Sequence, residues 1–320
     1  MKDRITPAPH GDNAPRHRHT DIDPRGWWRR LPRHLHPFIL VARFDRPIGW
    51  WLLLSPGWWI IPAATSDTGR MVELMLLFLV GAVTTRAAGC VINDLWDRRL
   101  DRRVERTSGR PLAAGTMGVG TALAFLAVLG LIGLAVLVRL PGAAIITGIA
   151  ALPLVILYPL AKRVTWWPQA VLGLTFSWGV PLGWAAGMGS TPALPPPALL
   201  AIYLGSVAWV FGYDTIYAVQ DMADDRTVGV KSSALGLGRH LQAGVSAAYA
   251  VAILGLGCGF WLLIGPGPWL AGLALMAIHL RWQLRRLRVD DPAGALRLFQ
   301  SNRDAGLILT AGMVLTHLAG

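Results

Sequence analysis

The chain has 320 residues, of which 53% are hydrophobic and 15% are charged, and its mean hydropathy is +0.46. This composition excludes an ordinary soluble globular domain and is typical of a protein that crosses a membrane several times. A formal net charge of +12 is compatible with nucleic-acid binding, but the long apolar runs favour basic residues that set membrane topology. The sequence therefore predicts an all-α integral membrane protein with no nucleic-acid partner.

The first 36 residues form a polar segment rich in Pro, Arg and His, without helical periodicity. We expect a disordered cytoplasmic leader here, with solvated histidines rather than a metal site. Its aspartates argue against a mitochondrial transit peptide, because such peptides avoid acidic residues. Residues 37–320 are predicted to form one polytopic membrane domain.

Nine apolar segments of about 16 to 24 residues follow the leader, each near the length that spans a bilayer core. They are predicted to form a bundle of transmembrane helices over residues 47–66, 71–94, 116–138, 141–161, 168–189, 197–219, 241–264, 267–284 and 304–319. Nearly all of the 30 Lys and Arg residues precede the first segment or fall in every second loop. By the positive-inside rule, this asymmetry predicts a cytoplasmic N-terminus. We expect the protein to lie in a bacterial inner membrane.

An acidic stretch, NDLWDRRLD at residues 93–101, ends the second predicted span. At about 100° per residue, Asp94, Asp97 and Asp101 share one helical face, where their mutual repulsion calls for a cation. Mg²⁺ binds carboxylate oxygens and leaves coordination positions for substrate phosphates. For this motif alone, the alternative is a solvated helix end of mixed Asp and Arg.

The sixth predicted span ends in a second acidic stretch, YDTIYAVQDMADD, at residues 213–225. Asp214, Asp221 and Asp225 share a helical face by the same period. Two such faces at the cytoplasmic ends of helices 2 and 6 predict a pair of metal clusters that face each other across a pocket. A diphosphate bridged by Mg²⁺ is the expected ligand of this pocket.

Basic residues near both motifs are candidates for stabilising a leaving diphosphate, because guanidinium and ammonium groups bind phosphate oxygens. They are Lys162, Arg163, Arg106, Arg110 and Lys231. From spacing alone, Lys162 and Arg163 fit equally well as charges that set topology.

Arg86 lies about two helical turns before Asp94 inside an apolar segment, where a cation is costly unless it is paired or lines a wet cavity. We expect Asp94 or an anionic substrate as its partner. Arg43, just ahead of the first span, is a second candidate of this kind. On the second motif, Tyr213 and Tyr217 are candidates for shielding an allylic cation, although ordinary interfacial packing explains them as well.

Both acidic motifs, with the residues that follow them, resemble the signatures of the UbiA-type membrane prenyltransferases. AAGCVINDLWDRRLD followed by RTSGRPLAAG is similar to the first signature, and YDTIYAVQDMADD followed by VGVKSSA is similar to the second. ARFDRPIGWWLLLSPGWW and YPLAKRVTWWPQAVLGLTFSWGVPLGW resemble the 4-hydroxybenzoate polyprenyltransferase branch of that family. The resemblance covers the chain outside the leader.

The resemblance implies a nine-helix bundle around a central cavity that opens to lipid, with Mg²⁺ as cofactor. The implied site residues are Asp94, Asp97 and Asp101 for one metal ion, Asp221 and Asp225 for the other, Asn93 and Asp214 in assisting roles, Lys162 or Arg163 for the diphosphate, and Arg43 or Arg86 for the acceptor carboxylate. Asp214 is also a candidate base. The resemblance supplies these roles, which spacing alone does not.

The implied reaction transfers a polyprenyl group from a polyprenyl diphosphate to the ring carbon ortho to the hydroxyl of 4-hydroxybenzoate, in ubiquinone biosynthesis. No obligatory protein partner is expected. A sibling prenyltransferase acting on another aromatic compound or on haem shares the acidic motifs and remains an alternative. A CDP-alcohol phosphotransferase fits less well, because NDLWDRRLD lacks that family's Asp-Gly and Ala-Arg pairs. A cation transporter would place its acids near the bilayer midplane rather than at helix ends.

Overall fold

The computed structural model describes residues 22, 26–104, 107–155, 161, 164–189, 196–222 and 231–320. All regular elements within these ranges are helical, as the composition predicts. The chain divides into two compact units, one formed by residues 1–45 and 89–126 and the other by residues 46–88 and 127–320.

Most of the described residues lie in α-helices, numbered here in chain order. They are α1 (His36–Val41), α2 (Ile48–Ala64), α3 (Thr68–Trp96), α4 (Arg98–Asp101), α5 (Pro111–Ala114), α6 (Val119–Leu137), α7 (Gly142–Ala150), α8 (Pro168–Phe176), α9 (Gly179–Met188), α10 (Pro197–Ala218), α11 (Ser233–Leu237), α12 (Leu241–Ile264), α13 (Trp269–Arg286), α14 (Pro292–Gln300) and α15 (Asn302–Ala319). In the part of the predicted leader that is described, two short 3-10 turns, Trp27–Arg30 and Arg33–Leu35, lead into α1.

Each predicted span is helical over most of its described residues. Among the described residues, five segments are long and apolar enough to cross a membrane: Thr68–Trp96, Val119–Leu137, Pro168–Met188, Pro197–Asp221 and Ser233–Ile264. The helices at the other four predicted spans are shorter or more polar; α2, for example, has 17 residues. The chain is a multi-pass, all-helical membrane protein.

Two of the differences from the sequence-based expectation concern helices of nine or ten residues. The predicted span 168–189 is broken by a turn at Ser177 and Trp178, so that α8 and α9 replace one continuous helix. The segment between α13 and α15, expected to be a loop, contains α14. Asp291 caps α14 by accepting a hydrogen bond from the backbone N–H of Gly294 at 2.8 Å, and Pro292 starts the helix.

The larger unit has a core in which α10 packs closely against α12. A Cβ built on Gly205 of α10 would lie 2.8 Å from the backbone nitrogen of Leu256, and one on Gly255 of α12 would lie 2.9 Å from the Cα of Gly205. Gly255 and Gly259 form a GxxxG pattern, which lets helix backbones approach each other in membranes. Glycine at these positions therefore allows the close contact between α10 and α12, which we call the glycine seam.

Buried polar groups tie further helices of this unit together. The indole nitrogen of Trp209 donates to Asn302 Oδ1 at 3.1 Å, and the Tyr249 hydroxyl donates to Gln283 Oε1 at 2.7 Å. Asn302 Nδ2 also donates to Gln283 Oε1 at 3.3 Å, so α10, α12, α13 and α15 share one network. Such internal bonds satisfy polar groups that a lipid environment cannot.

We expect Gly205→Ala to destabilise the protein by about 1 to 3 kcal/mol, because the added methyl group collides with the α12 backbone. The matched control is Gly130→Ala in α6, where an added Cβ meets no described atom within 4 Å. Thermal unfolding in detergent, followed by size-exclusion fluorescence, measures both changes. Equal unfolding temperatures for the two variants would contradict the packing described for this seam.

Candidate active site

Asp94, the first acid of the first motif, is a buried carboxylate held by two arginines. Its side chain is 1% exposed near the end of α3, and its Oδ1 accepts hydrogen bonds from Arg43 Nη2 at 2.7 Å and from Arg110 Nη1 at 3.3 Å. The other oxygen, Oδ2, is buried and has no hydrogen-bond partner among the described residues. One oxygen is thus neutralised by guanidinium groups, while the second remains available to another cation.

The backbone of Arg43 adopts a conformation that usually belongs to glycine. Its φ is +60°, the only positive value at a non-glycine residue in the described ranges. Arg43 follows the C-cap of α1, and the N–H groups of Arg43 and Phe44 donate to the carbonyls of Leu40 and Ile39 at 3.3 and 2.9 Å. This pair of bonds defines a Schellman motif, and Phe44 packs against the small hydrophobic cluster that contains Ile39. A non-glycine residue here costs about 1 to 3 kcal/mol of backbone strain.

Arg110 connects the first and last acids of the first motif. Besides Asp94, its Nη1 contacts both carboxylate oxygens of Asp101, at 3.3 and 3.2 Å. Asp101 is itself buried at the end of α4. From the sequence, Arg110 was predicted only to be a cation near the motif. Local spacing does not reveal that this residue, from the following loop, contacts both Asp94 and Asp101.

The middle acid of the first motif is placed differently from its neighbours. Asp97 lies in a bend between α3 and α4, although its N–H donates to Asn93 O and its carbonyl accepts from the Asp101 N–H, both at 2.8 Å, so the helical spacing continues. Its half-buried side chain has no hydrogen bond or ion pair within the described ranges. Asn93 is exposed.

In the described part of the chain, no three His, Cys, Asp or Glu side chains form a group that could by itself hold a metal ion. The structure instead brings Asp94 and Asp101 together through Arg110. Mg²⁺ commonly binds to only one or two carboxylates and completes its coordination with water and substrate phosphates. The open Oδ2 of Asp94, a hard oxygen donor that is already buried, fits such an ion.

The second motif lies in the larger unit and continues past the end of α10. Asp214 is half-buried on α10, whereas Asp221 lies in a 3-10 turn, Val219–Asp221, and Asp225 falls outside the described residues. Each residue of a 3-10 turn adds about 20° to the helical rotation, so Asp221 is rotated by roughly 60° from the position that a regular α-helix predicts. That both motifs face one pocket stays a prediction.

The two tyrosines of the second motif pack against aromatic neighbours. The ring centroid of Tyr217 lies 4.7 Å from that of Phe299 on α14, and the ring of Tyr213 lies 5.8 Å from Phe299 and 4.9 Å from Trp209. Both rings therefore pack against aromatic side chains, and their shielding of an allylic cation stays a prediction. Because α14 was expected to be loop, Phe299 was missed as a neighbour of this motif.

The remaining candidate cations have contrasting surroundings. Arg86 is half-buried on α3 and lies against α2, where a Cβ on Gly49 would be 2.5 Å from its Nε. It makes no hydrogen bond or ion pair with the residues described. Lys231 donates to Val164 O at 3.3 Å and lies 5.7 Å from the centroid of the Trp166 ring. Lys162 and Arg163 lie outside the described ranges.

Curated relatives resemble most of the chain. It is 44% identical over 284 residues to a Drosophila melanogaster protein named 4-hydroxybenzoate polyprenyltransferase, mitochondrial, with 88% of this chain and 71% of that protein covered. A Homo sapiens protein of the same name is 39% identical over 329 residues, with 98% of this chain and 86% of that protein covered.

Solved structures share the fold at lower sequence identity. The apo structure of a UbiA homolog from Aeropyrum pernix K1 has a TM-score of 0.68 at 23% identity and covers 89% of this chain and 98% of that chain. A UbiA homolog from Archaeoglobus fulgidus bound to GPP and Mg²⁺ has a TM-score of 0.57 at 16% identity, covering 86% and 99%. The model of the UbiA prenyltransferase family matches residues 49–306. The chain therefore belongs to the UbiA prenyltransferase family.

Proposed function

We propose that this protein is a Mg²⁺-dependent 4-hydroxybenzoate polyprenyltransferase. It transfers a polyprenyl group from its diphosphate to the ring carbon ortho to the acceptor's hydroxyl, giving 3-polyprenyl-4-hydroxybenzoate for ubiquinone biosynthesis. The observation that carries the proposal is the buried Asp94, which has one oxygen held by two arginines and the other open. Relatives of the same name, about 40% identical over most of the chain, support this acceptor.

The metal ions and the diphosphate are assigned to the two acidic motifs and their neighbouring cations. The proposed residues are Asp94, Asp97 and Asp101 in the first motif, Asp221 and Asp225 in the second, Asn93 and Asp214 in assisting roles, and Lys162 or Arg163 on the diphosphate. When bound, Mg²⁺ supplies positive charge that stabilises the diphosphate as a leaving group. A structure of a family homolog bound to GPP and Mg²⁺ supports this pairing of metal and diphosphate.

The chain's own groups support each stage of the transfer. The bond between C1 of the polyprenyl group and the diphosphate oxygen breaks, and its electron pair leaves with the diphosphate, whose oxygens accept hydrogen bonds from Lys162 or Arg163. The apolar helices exclude water from the allylic carbon, which prevents hydrolysis. The ortho ring carbon bonds to C1 and its proton is released, with Asp214 as the proposed acceptor.

Arg86 is the better candidate of the two arginines for the acceptor carboxylate. It has no hydrogen bond or ion pair in the described part of the chain, and an unpaired cation inside an apolar helix favours an anionic ligand. Arg43, by contrast, already uses both terminal nitrogens, since Nη1 donates to Leu40 O and Nη2 donates to Asp94 Oδ1, each at 2.7 Å.

The proposed setting is a bundle of nine transmembrane helices around a central cavity in a bacterial inner membrane, with residues 1–36 as a cytoplasmic leader. The concentration of Lys and Arg in alternate loops supports a cytoplasmic N-terminus and a cytoplasmic location of both motifs. The curated relatives are named as mitochondrial proteins.

We expect membranes that contain this protein to convert 4-hydroxybenzoate and a polyprenyl diphosphate into the 3-prenylated acid, detected by mass spectrometry. EDTA should abolish the product and excess Mg²⁺ should restore it, because the metal ion stabilises the leaving group. A panel with homogentisate, dihydroxynaphthoate and haem tests the acceptor. If product forms only with one of these other acceptors, the protein is a prenyltransferase with that acceptor instead. Turnover without a metal ion would refute the proposed role of Mg²⁺.

We expect Asp94→Asn and Asp221→Asn each to lower kcat by at least about a hundredfold, because an amide cannot replace the charge of a carboxylate ligand. The matched control is Asp290→Asn, which makes the same chemical change at a carboxylate that is 72% exposed and paired with Arg288 across a surface turn. Turnover by purified protein in detergent is the measurement. Wild-type rates in either motif variant would exclude that motif from metal binding.

We expect Arg86→Gln to raise the acceptor KM by about 10- to 100-fold, which is the loss of one charge-assisted hydrogen bond. The wild-type preference for 4-hydroxybenzoate over its methyl ester should disappear in the same variant, because the ester lacks the anionic carboxylate. Arg281→Gln, at an exposed arginine on α13, is the control. An unchanged acid-to-ester preference would rule out Arg86 as the carboxylate partner.

A further inference from the structure

We infer that Arg43 is a positioning residue for metal binding: it fixes Oδ1 of Asp94 so that Oδ2 remains open to the cation. This inference rests on the proposed function, since it assumes that Asp94 binds a metal ion. It assigns to Arg43 a task different from binding the acceptor.

The backbone of Arg43 is the first observation behind the inference. The residue occupies the left-handed position of the Schellman motif that ends α1, with a φ of +60°. Glycine satisfies this position without strain, so the turn itself gives no reason for an arginine. The side chain of Arg43, and not its backbone conformation, must therefore explain why arginine occupies this position.

The contacts of the guanidinium group are the second observation. Nη1 donates to Leu40 O and Nη2 to Asp94 Oδ1, both at 2.7 Å, so the group is fixed at one end to the turn and at the other to the carboxylate. Arg110 donates to the same Oδ1. Both arginines bind one oxygen, while the buried Oδ2 has no partner in the described ranges. Hydrogen bonds to a ligating carboxylate are known to orient it toward a metal.

Positioning and simple charge balance predict opposite effects when Arg43 is removed. A cation beside Asp94 repels a second cation, so if only charge mattered, its loss would tighten metal binding. If Arg43 orients the carboxylate, its loss allows Asp94 to rotate and weakens metal binding despite the more favourable electrostatics. The sign of the change in metal affinity distinguishes the two roles.

The test is a Mn²⁺ titration of the full-length protein in detergent, followed by loss of the free-ion electron paramagnetic resonance signal, with and without inorganic pyrophosphate. Arg43→Gly and Arg43→Ala should each weaken Mn²⁺ binding about tenfold. Arg43→Lys retains the charge but lacks the planar pair of donors, so it should fall between these variants and wild type. The control is Arg99→Ala, which removes one positive charge from an exposed position on α4.

Arg43→Gly also separates positioning from folding, because glycine relieves the strained backbone. We expect this variant to unfold at a temperature no more than a few degrees below that of wild type while its Mn²⁺ affinity falls. If Arg43→Gly binds Mn²⁺ as tightly as wild type or more tightly, this inference is overturned and the proposed function is not. A wild-type protein that binds no Mn²⁺, even with pyrophosphate, would overturn the proposed metal dependence and this inference with it.

Discussion

The burial of the Asp94 carboxylate is the constraint on which the first motif depends. A charged group at the end of an apolar helix is stable only when opposite charges replace the water that it loses. Arg43 and Arg110 provide these charges, and Arg110 extends the pairing to Asp101. The loop after α4 and the turn after α1 are therefore both organised around a single carboxylate, because each must bring a guanidinium group to it.

The lengths of the apolar runs in the sequence were sufficient to predict most of the long helices. Segments such as 197–219 and 241–264 end within one residue of α10 and α12, because about 20 apolar residues between polar boundaries leave few alternatives. The turn at Ser177 and the amphipathic α14 were missed. The first interrupts an apolar run without a charged residue to mark it, and the second is too short and too polar to resemble a span.

The sequence predicted which residue types form the site, but it did not predict which of these residues contact each other. Asp94 and Arg43 were both singled out, yet their contact joins residues 51 positions apart, which no helical period can reveal. The shared face expected for Asp214 and Asp221 assumed a regular helix, whereas the chain tightens after Ala218. The sequence also contained no sign of the left-handed backbone at Arg43, because arginine is not a residue that marks such turns.

The glycine seam has a consequence for how the protein accommodates substrates of different length. Since the backbones of α10 and α12 touch at Gly205 and Gly255, the two helices cannot slide or roll past each other without steric collision. The second motif thus begins on a helix, α10, that is closely packed against α12. We therefore expect variation in the space for an isoprenoid tail to come from helices outside this pair.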